Sequence, residues 1–349
     1  MARSGTPTLL IVTPYAAAAN NGNWRTAARW ARLLAPHYRP IVQAGDAPAT
    51  DNAGAGAVAL IALHARRSRR AIAAWRAAHP DRALVVALTG TDLYRDVPAG
   101  NADARASLSD ADRLIVLQQD ARDFVPAEFR RKVDVVYQSA RALKPWPSKR
   151  ADRLHCVLVA HLRDEKDPRT VFDAWGLLPA DLPVTLTIIG AALDPALGQA
   201  ARDLSAADPR VRWFGPRHNA WTRQAIKRAQ LLLCPSKMEG GANVVVEAIT
   251  AGTPVVASRM SGNLGMLGPD YAGYFPVGNA AALARLLTRI VREPSLSNTL
   301  AAQCARRAPL FTPDAERRTL EKAIAEALAA RAADAGTMVN PARTRIEFP

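Results

Sequence analysis

The sequence predicts an α/β protein of two doubly wound parallel sheets, each a Rossmann-like domain. Three observations predict it. Short apolar runs of strand length alternate with helical segments, the pattern that builds parallel sheets. The runs fall into two series, separated by the proline-broken, basic and aperiodic stretch SARALKPWPSKRAD at 139–152. The 349 residues are enough for two domains.

The first series has apolar runs at 8–13, 40–43, 58–63, 83–89, 113–117 and 133–137, with helical segments such as 24–34 and 71–79 between them. The opening TLLIVTPYAAAANN resembles a secretory leader only superficially: its apolar run is short and broken by Pro14, as in a buried strand entering a loop. In 24–34, Trp24, Ala27, Ala31 and Leu34 share one helical face, which points to the core. The second series has runs at 156–160, 184–190, 211–214, 229–235, 255–257 and 273–276, and a long helix follows at about 314–331. We therefore expect an N-terminal domain over 1–140, a linker over 141–152 and a C-terminal domain over 153–312. A helix over 313–332 would pack back on the first domain, and 333–349 would form a tail.

Composition narrows the partners. No apolar run approaches the roughly 18 residues a membrane span requires. Cys156, Cys234 and Cys304 lack metal-ligand spacing, and two lie in apolar runs, so they read as core residues of a cytoplasmic protein. The net charge is +15, and residues 1–150 carry 22 basic against 12 acidic side chains. That excess favours anionic ligands, although it equally describes arginine-rich solvated faces. Aromatic–basic interleaving of the nucleic-acid-binding kind is absent, so no nucleic-acid partner is expected.

The most specific local pattern runs LLLCPSKMEGGANVVVEAITAGTPVVAS over 231–258. A strand, a glycine loop and a helix start succeed one another, and that order presents backbone N–H groups to an anion. Glu247 lies one turn inside the helix, where it can bond sugar hydroxyls beside a phosphate. Glu239, eight positions earlier, can reach a second sugar. Gly240, Gly241, Ala242, Asn243 and Val244 form the approach. A diphosphate between two sugars describes a nucleotide-sugar; a glycine-tightened turn before a solvated helix would show the same letters.

Ligands of such sheets bind beyond the carboxyl ends of the strands. After the first strand come Asn20, Gly22, Asn23 and Arg25, read as an acceptor loop or a helix cap. After the third come His64, Arg66 and Arg67, followed by Arg69 and Arg70; arginines at a helix N-terminus oppose its dipole, so they suit an anion site or a screened surface. After the fourth come Thr89, Gly90, Thr91 and Asp92, with Asp92 equally suited to capping. Asp110 and Asp112 mimic an Asp-x-Asp metal motif but precede a strand, so no metal site is expected. In the second half Arg163 and Lys166 stand three apart, which would aim both at one diphosphate.

Residues 8–310 resemble the GT-B glycosyltransferases, in which two such domains face each other across a cleft and the C-terminal one binds the donor. The strings VALIALHARRS (58–68), VVALTGTDLYRD (85–96), VYQSA (136–140), GAALDPAL (190–197), SKMEGGANVVVEA (236–248) and SGNLGMLGPDYAGYFPVGN (261–279) resemble a narrower group, the selenosugar synthases of selenoneine biosynthesis. That resemblance implies a UDP-sugar (UDP-N-acetylglucosamine or UDP-glucose) reacting with selenophosphate to a 1-selenosugar, UDP and phosphate. It implies no cofactor, and a functional coupling to a downstream enzyme of that pathway. Carried over, Glu247 binds the ribose, Arg163 and Lys166 the diphosphate, and Glu239 the donor sugar. Arg25, Arg66 and Arg67 would cradle selenophosphate. A transferase acting on an oxygen acceptor, lipid or saccharide, is the alternative.

Overall fold

The computed structural model describes residues 5–15, 22–45, 56–147 and 152–338. They divide into two compact units. The first takes the chain up to Leu117, Arg122–Val136 and the residues from Arg317 on; the second takes Gln118–Ala121 and Tyr137–Glu316.

The first unit contains β1 (Thr8–Thr13), α1 (Gly22–Leu34), β2 (Arg39–Ala44), β3 (Ala57–Leu63), α2 (Arg69–Ala78), β4 (Ala83–Leu88), α3 (Ala102–Asp110), β5 (Arg113–Val116) and β6 (Val133–Val135). All six strands pair in parallel, in the order β2-β1-β3-β4-β5-β6. β1 and β4 are buried at every position, as strands covered on both faces must be, which is why they read as unbroken apolar runs.

The second unit contains β7 (Leu154–Val159), α4 (Pro168–Gly176), β8 (Val184–Ile189), α5 (Pro195–Ala207), β9 (Val211–Trp213), α6 (Asn219–Arg228), β10 (Leu231–Cys234), α7 (Asn243–Ile249), β11 (Val255–Ser258), α8 (Ser261–Leu267), β12 (Tyr274–Phe275), α9 (Ala280–Arg292) and α10 (Pro294–Arg307). Its parallel sheet is ordered β12-β11-β10-β7-β8-β9. The last helix, α11 (Pro313–Met338), starts in the second unit and lays Leu320, Ala323, Ile324 and Ala327 against Leu9, Ile11, Trp30, Val85 and Ile115 of the first. Those four follow the spacing of one helical face. Ion pairs from Arg113 to Glu326 (2.6 Å) and from Arg331 to Asp112 (2.6 Å) flank the stripe. The expectation of a tail from 333 is corrected here: the helix runs on to Met338, because AADAG is alanine-rich enough to continue it. Residues 339–349 lie outside the described part.

The strand order changes direction at β1 in the first sheet and between β7 and β10 in the second. Loops that leave neighbouring strands in opposite directions open a crevice at those points. No described helix is long and apolar enough to cross a membrane.

Two consequences are measurable. Ile324 is fully buried, so Ile324→Ala should cost about 2–5 kcal/mol of stability in denaturant unfolding. A loss within about 0.5 kcal/mol, the size of an ordinary surface change, would show that α11 does not complete the first core. All three thiols are buried, and burial raises their pKa, that of Cys234 to about 12. They therefore stay protonated at pH 8, and a thiol reagent there should label none in the native protein and all three after denaturation. Native labelling of Cys234 would mean that the end of β10 opens to solvent.

Candidate active site

At the crevice of the second sheet, the loop after β7 and the loop after β10 are stitched together. The Lys237 N–H donates to the Glu165 carbonyl at 3.0 Å, and Lys237 Nζ donates to Asp164 Oδ1 at 2.6 Å. Asp164–Lys166 forms a single 3₁₀ turn, closed by the Lys166 N–H on the Arg163 carbonyl at 3.1 Å. Arg163 itself is the extended residue before the turn, at φ −155° and ψ 161°, so a single helical turn does not align it with Lys166 as the spacing had suggested. Its exit is Asp167, at φ 47°, whose carboxylate accepts the Thr170 hydroxyl at 2.6 Å.

Glu239 is the buried anion of this crevice, with 8% of its surface exposed. Its Oε1 accepts from Lys166 Nζ in a tight ion pair and from Ser236 Oγ at 2.8 Å. The ammonium neutralises a carboxylate that burial alone would make costly. The second carboxylate oxygen, Oε2, has no hydrogen-bond partner among the described residues. Burial, and after it the Glu239 carboxylate, push the Cys234 thiol up to about 12, so the thiol beside the carboxylate is neutral. Around it, Ser258 Oγ donates to the Ser236 carbonyl (2.5 Å), and Asn263 Nδ2 donates to the Ser258 carbonyl (2.9 Å).

Two glycines let the walls close. A Cβ on Gly262, in α8, would stand 2.2 Å from the Glu239 carbonyl oxygen. One on Gly190, just after β8, would stand 1.8 Å from the Ala160 carbonyl oxygen.

α7 is seven residues long and begins from Ala242, whose carbonyl accepts the Val245 and Val246 N–H groups at 2.9 and 3.2 Å. No side chain caps it. Gly240 and Ala242 are buried, while Gly241, Asn243 and Val244 are half-buried. Glu247 is half-buried, and its Oε1 accepts Asn219 Nδ2 from the start of α6 at 2.8 Å. Arg163 is half-exposed, its Nε 3.7 Å from Glu165 Oε2, beyond hydrogen-bond range. The second unit thus brings Lys166 and Glu239 into contact and leaves Arg163 loosely held.

The carboxyl end of the first sheet is more committed. Asp92 is fully buried, and its carboxylate accepts the N–H groups of Ala65 (3.0 Å), Thr89 (2.9 Å), Gly90 (2.9 Å) and Leu93 (3.1 Å). Its reading as a ligand-facing group is corrected: it binds the loop after β3 to the loop after β4. The cap reading is corrected too, since Thr91 precedes the π-type turn Asp92–Asp96. His64, buried at φ 74°, accepts the Arg67 N–H on Nδ1 (3.3 Å), so its proton sits on Nε2 and is donated to Thr91 Oγ1 (2.9 Å).

Arg66 donates to Asp96 Oδ2 at 2.7 Å, and Arg69 to Asp110 Oδ2 at 2.6 Å. Their expected place in an anion cradle is corrected to structural ion pairs. Arg67 differs. It lies 5.1 Å over the Tyr15 ring, with no carboxylate partner among the described residues. Gly22, Asn23 and Arg25 are the first turn of α1 rather than a loop, because Thr26 Oγ1 bonds back to the Gly22 carbonyl at 2.8 Å. Asn20 lies outside the described residues. Asp112, 4% exposed, is held by the Leu84 N–H, Arg76 and Arg331. Among the described residues no group of three acidic, histidine or cysteine side chains could hold a metal.

Sequence reasoning passed over Ser236, Asn219, Gly262 and Tyr15. Ser236 stands three residues before Glu239 at the strand end, which is a readable signal. Asn219 and Gly262 bond or pack only through tertiary placement.

The chain is similar to known proteins in sequence and in fold. The family model described as "Glycosyl transferases group 1" matches residues 142–309, essentially the second unit. A curated D-inositol 3-phosphate glycosyltransferase from Actinosynnema mirum is 29% identical over 250 residues, 71% of this chain and 52% of its own. The chain thus spans about half the length of that relative. Among solved structures, Anabaena HepE in complex with UDP and glucose superposes with a TM-score of 0.71 at 18% identity, over 91% of this chain and 99% of its own. Sucrose-phosphate synthase from Thermosynechococcus elongatus gives 0.74 at 16% identity, over 93% and 100%.

The Gly262 contact yields a test. Gly262→Ala should displace Glu239 and lower turnover by about 100-fold, the scale of a misplacement near 1 Å, in a protein that still folds. Unchanged turnover would mean that Glu239 takes no part in the reaction.

Proposed function

We propose that this chain is a glycosyltransferase of the GT-B architecture that takes a UDP-sugar as donor and selenophosphate as acceptor, a reading supported by the family match over its second unit and by its fold. The anomeric C–O bond to UDP breaks and a C–Se bond forms. Water then splits the Se–P bond, giving a 1-selenosugar and phosphate. UDP and glucose are bound in the HepE structure, and the first-named acceptor among the relatives, D-inositol 3-phosphate, also bears a phosphate.

In this reading Glu247, steadied by Asn219, bonds the ribose hydroxyls. Lys166 keeps one N–H on Glu239 and turns the others, with Arg163, to the diphosphate. That cationic pair meets the charge that develops on the leaving group, and positively charged donors placed for that purpose lower the barrier. Glu239 Oε2 meets the donor sugar.

The observation that carries the acceptor assignment is the state of Asp92 and His64. The Asp92 carboxylate is occupied by four backbone N–H groups, and both His64 nitrogens are engaged. A sugar hydroxyl needs a base to become a nucleophile, and these two groups offer none. A selenium anion is already ionised and needs none.

Mass spectrometry of products from a UDP-sugar panel, with and without selenophosphate, tests the assignment. It should show a selenosugar and UDP only when both substrates are present. A glycosylated lipid or saccharide, with selenophosphate inert, would establish an oxygen acceptor instead. On the donor side, Glu247→Ala should raise the KM for the UDP-sugar by about 10–150-fold, the worth of charge-assisted hydrogen bonds. Arg163→Ala and Lys166→Ala should depress kcat instead, because their interaction strengthens in the transition state. Unchanged donor kinetics in the Glu247 variant would remove it from the site.

A further inference from the structure

Arg67 differs from the other arginines of its loop. Arg66 is held by Asp96 and Arg69 by Asp110, whereas the guanidinium of Arg67 rests on the Tyr15 ring at 5.1 Å and meets no carboxylate among the described residues. Its half-buried position lies where β1 and β3 send their loops apart, the natural ligand crevice of the first sheet. A ring beneath a guanidinium orients it without neutralising it, so all five N–H donors stay available.

Thr91 supplies a second donor one imidazole away. Because His64 Nδ1 accepts the Arg67 N–H, Nε2 must carry the proton and give it to Thr91 Oγ1. That bond fills a lone pair of the hydroxyl and leaves its own hydrogen available to donate. His64 thus links the backbone of Arg67 to the Thr91 side chain: its ring is fixed by the Arg67 N–H at one nitrogen and fixes the Thr91 hydroxyl at the other. The helix behind Arg67 adds to the field. Ser68 spends its hydroxyl on the Leu63 carbonyl at 2.7 Å instead of capping α2, and the first turn of α2 has no acidic residue. The positive end of that helix is therefore not offset locally.

We infer that Arg67 and Thr91 form a binding site for the phosphoryl group of a small dianion, with His64 as the positioning residue. The inference rests on the reading of the acceptor as a phosphorus oxyanion and says which atoms hold it. A planar guanidinium takes two phosphoryl oxygens side by side, and the Thr91 hydroxyl takes the third. The remaining, softer substituent on phosphorus then points away from the donors. Arg66 and Arg69 have no part in this site, since Asp96 and Asp110 already hold them.

Inorganic phosphate alone is the probe, titrated into the full chain by calorimetry or phosphorus NMR in the absence of any sugar nucleotide. Arg67→Gln and Thr91→Val should each weaken phosphate binding at least tenfold. Arg67→Lys should recover part of the loss, and Arg70→Gln, an equal change of charge on an exposed neighbour, should stay within twofold of the native protein. His64→Asn, which tolerates the left-handed backbone but lacks the second ring nitrogen, should weaken binding as Thr91→Val does. Native-like binding in Arg67→Gln overturns the inference, and so does equal loss in Arg70→Gln, which would mean a diffuse positive field. Because no donor or selenium compound is used, the site stands or falls separately from the selenosugar assignment: phosphate binding lost through Arg67, with no C–Se product, would leave the site intact and the acceptor reassigned.

Discussion

The Lys166–Glu239 ion pair is the constraint on which the second unit's site depends. A carboxylate 8% exposed above a neutral thiol is costly unless its charge is met, and removing one partner of such a pair typically costs about 3–5 kcal/mol. Meeting it requires the loop after β7 to lie against the loop after β10, and the contacts between Lys237 and both Glu165 and Asp164 hold them there. Gly190 admits the Ala160 carbonyl of the loop after β7, and Gly262 admits the Glu239 carbonyl of the loop after β10, each where a methyl group would collide. The pair is also a device for function. It leaves one carboxylate oxygen and the remaining ammonium N–H groups without another hydrogen-bond partner among the described residues, a neighbouring acceptor and donor held together.

The first unit solves the corresponding problem with opposite means. Its buried carboxylate, Asp92, is neutralised by backbone N–H groups rather than by a cation. That choice frees Arg67 from pairing and so leaves a positive charge for use. The same strand geometry thus carries a charge-balanced crevice in one sheet and a net cationic one in the other. Part of the basic complement of the first half is structural: Arg66, Arg69, Arg76 and Arg113 all hold carboxylates.

All twelve apolar runs became strands, and the central ones, such as β1 and β4, were legible because both their faces are covered and such strands are apolar throughout. The Glu239–Glu247 spacing was legible because a strand, glycines and a helix start within one segment leave little freedom. The roles of Asp92 and Arg66 were not. Asp92 takes an N–H from Ala65, 27 residues away, and Arg66 meets Asp96, 30 away, so neither partner is fixed by local spacing. The stacking of Arg67 on Tyr15 has the same origin, since it joins loops that only the crossover brings together. Helix α11 ran past its expected end because no glycine or proline interrupts 314–335, and helix ends are set by such breakers more than by amphipathicity.

The most direct test of this account is a double-mutant cycle on Lys166 and Glu239, using Lys166→Met, Glu239→Gln and the double variant, with UDP affinity and unfolding free energy measured for each. If the pair organises the donor end, each single variant loses UDP binding and stability, and the double variant recovers stability, with a coupling above about 1 kcal/mol. Losses that add within about 0.5 kcal/mol, together with native UDP affinity in Lys166→Met, would contradict it.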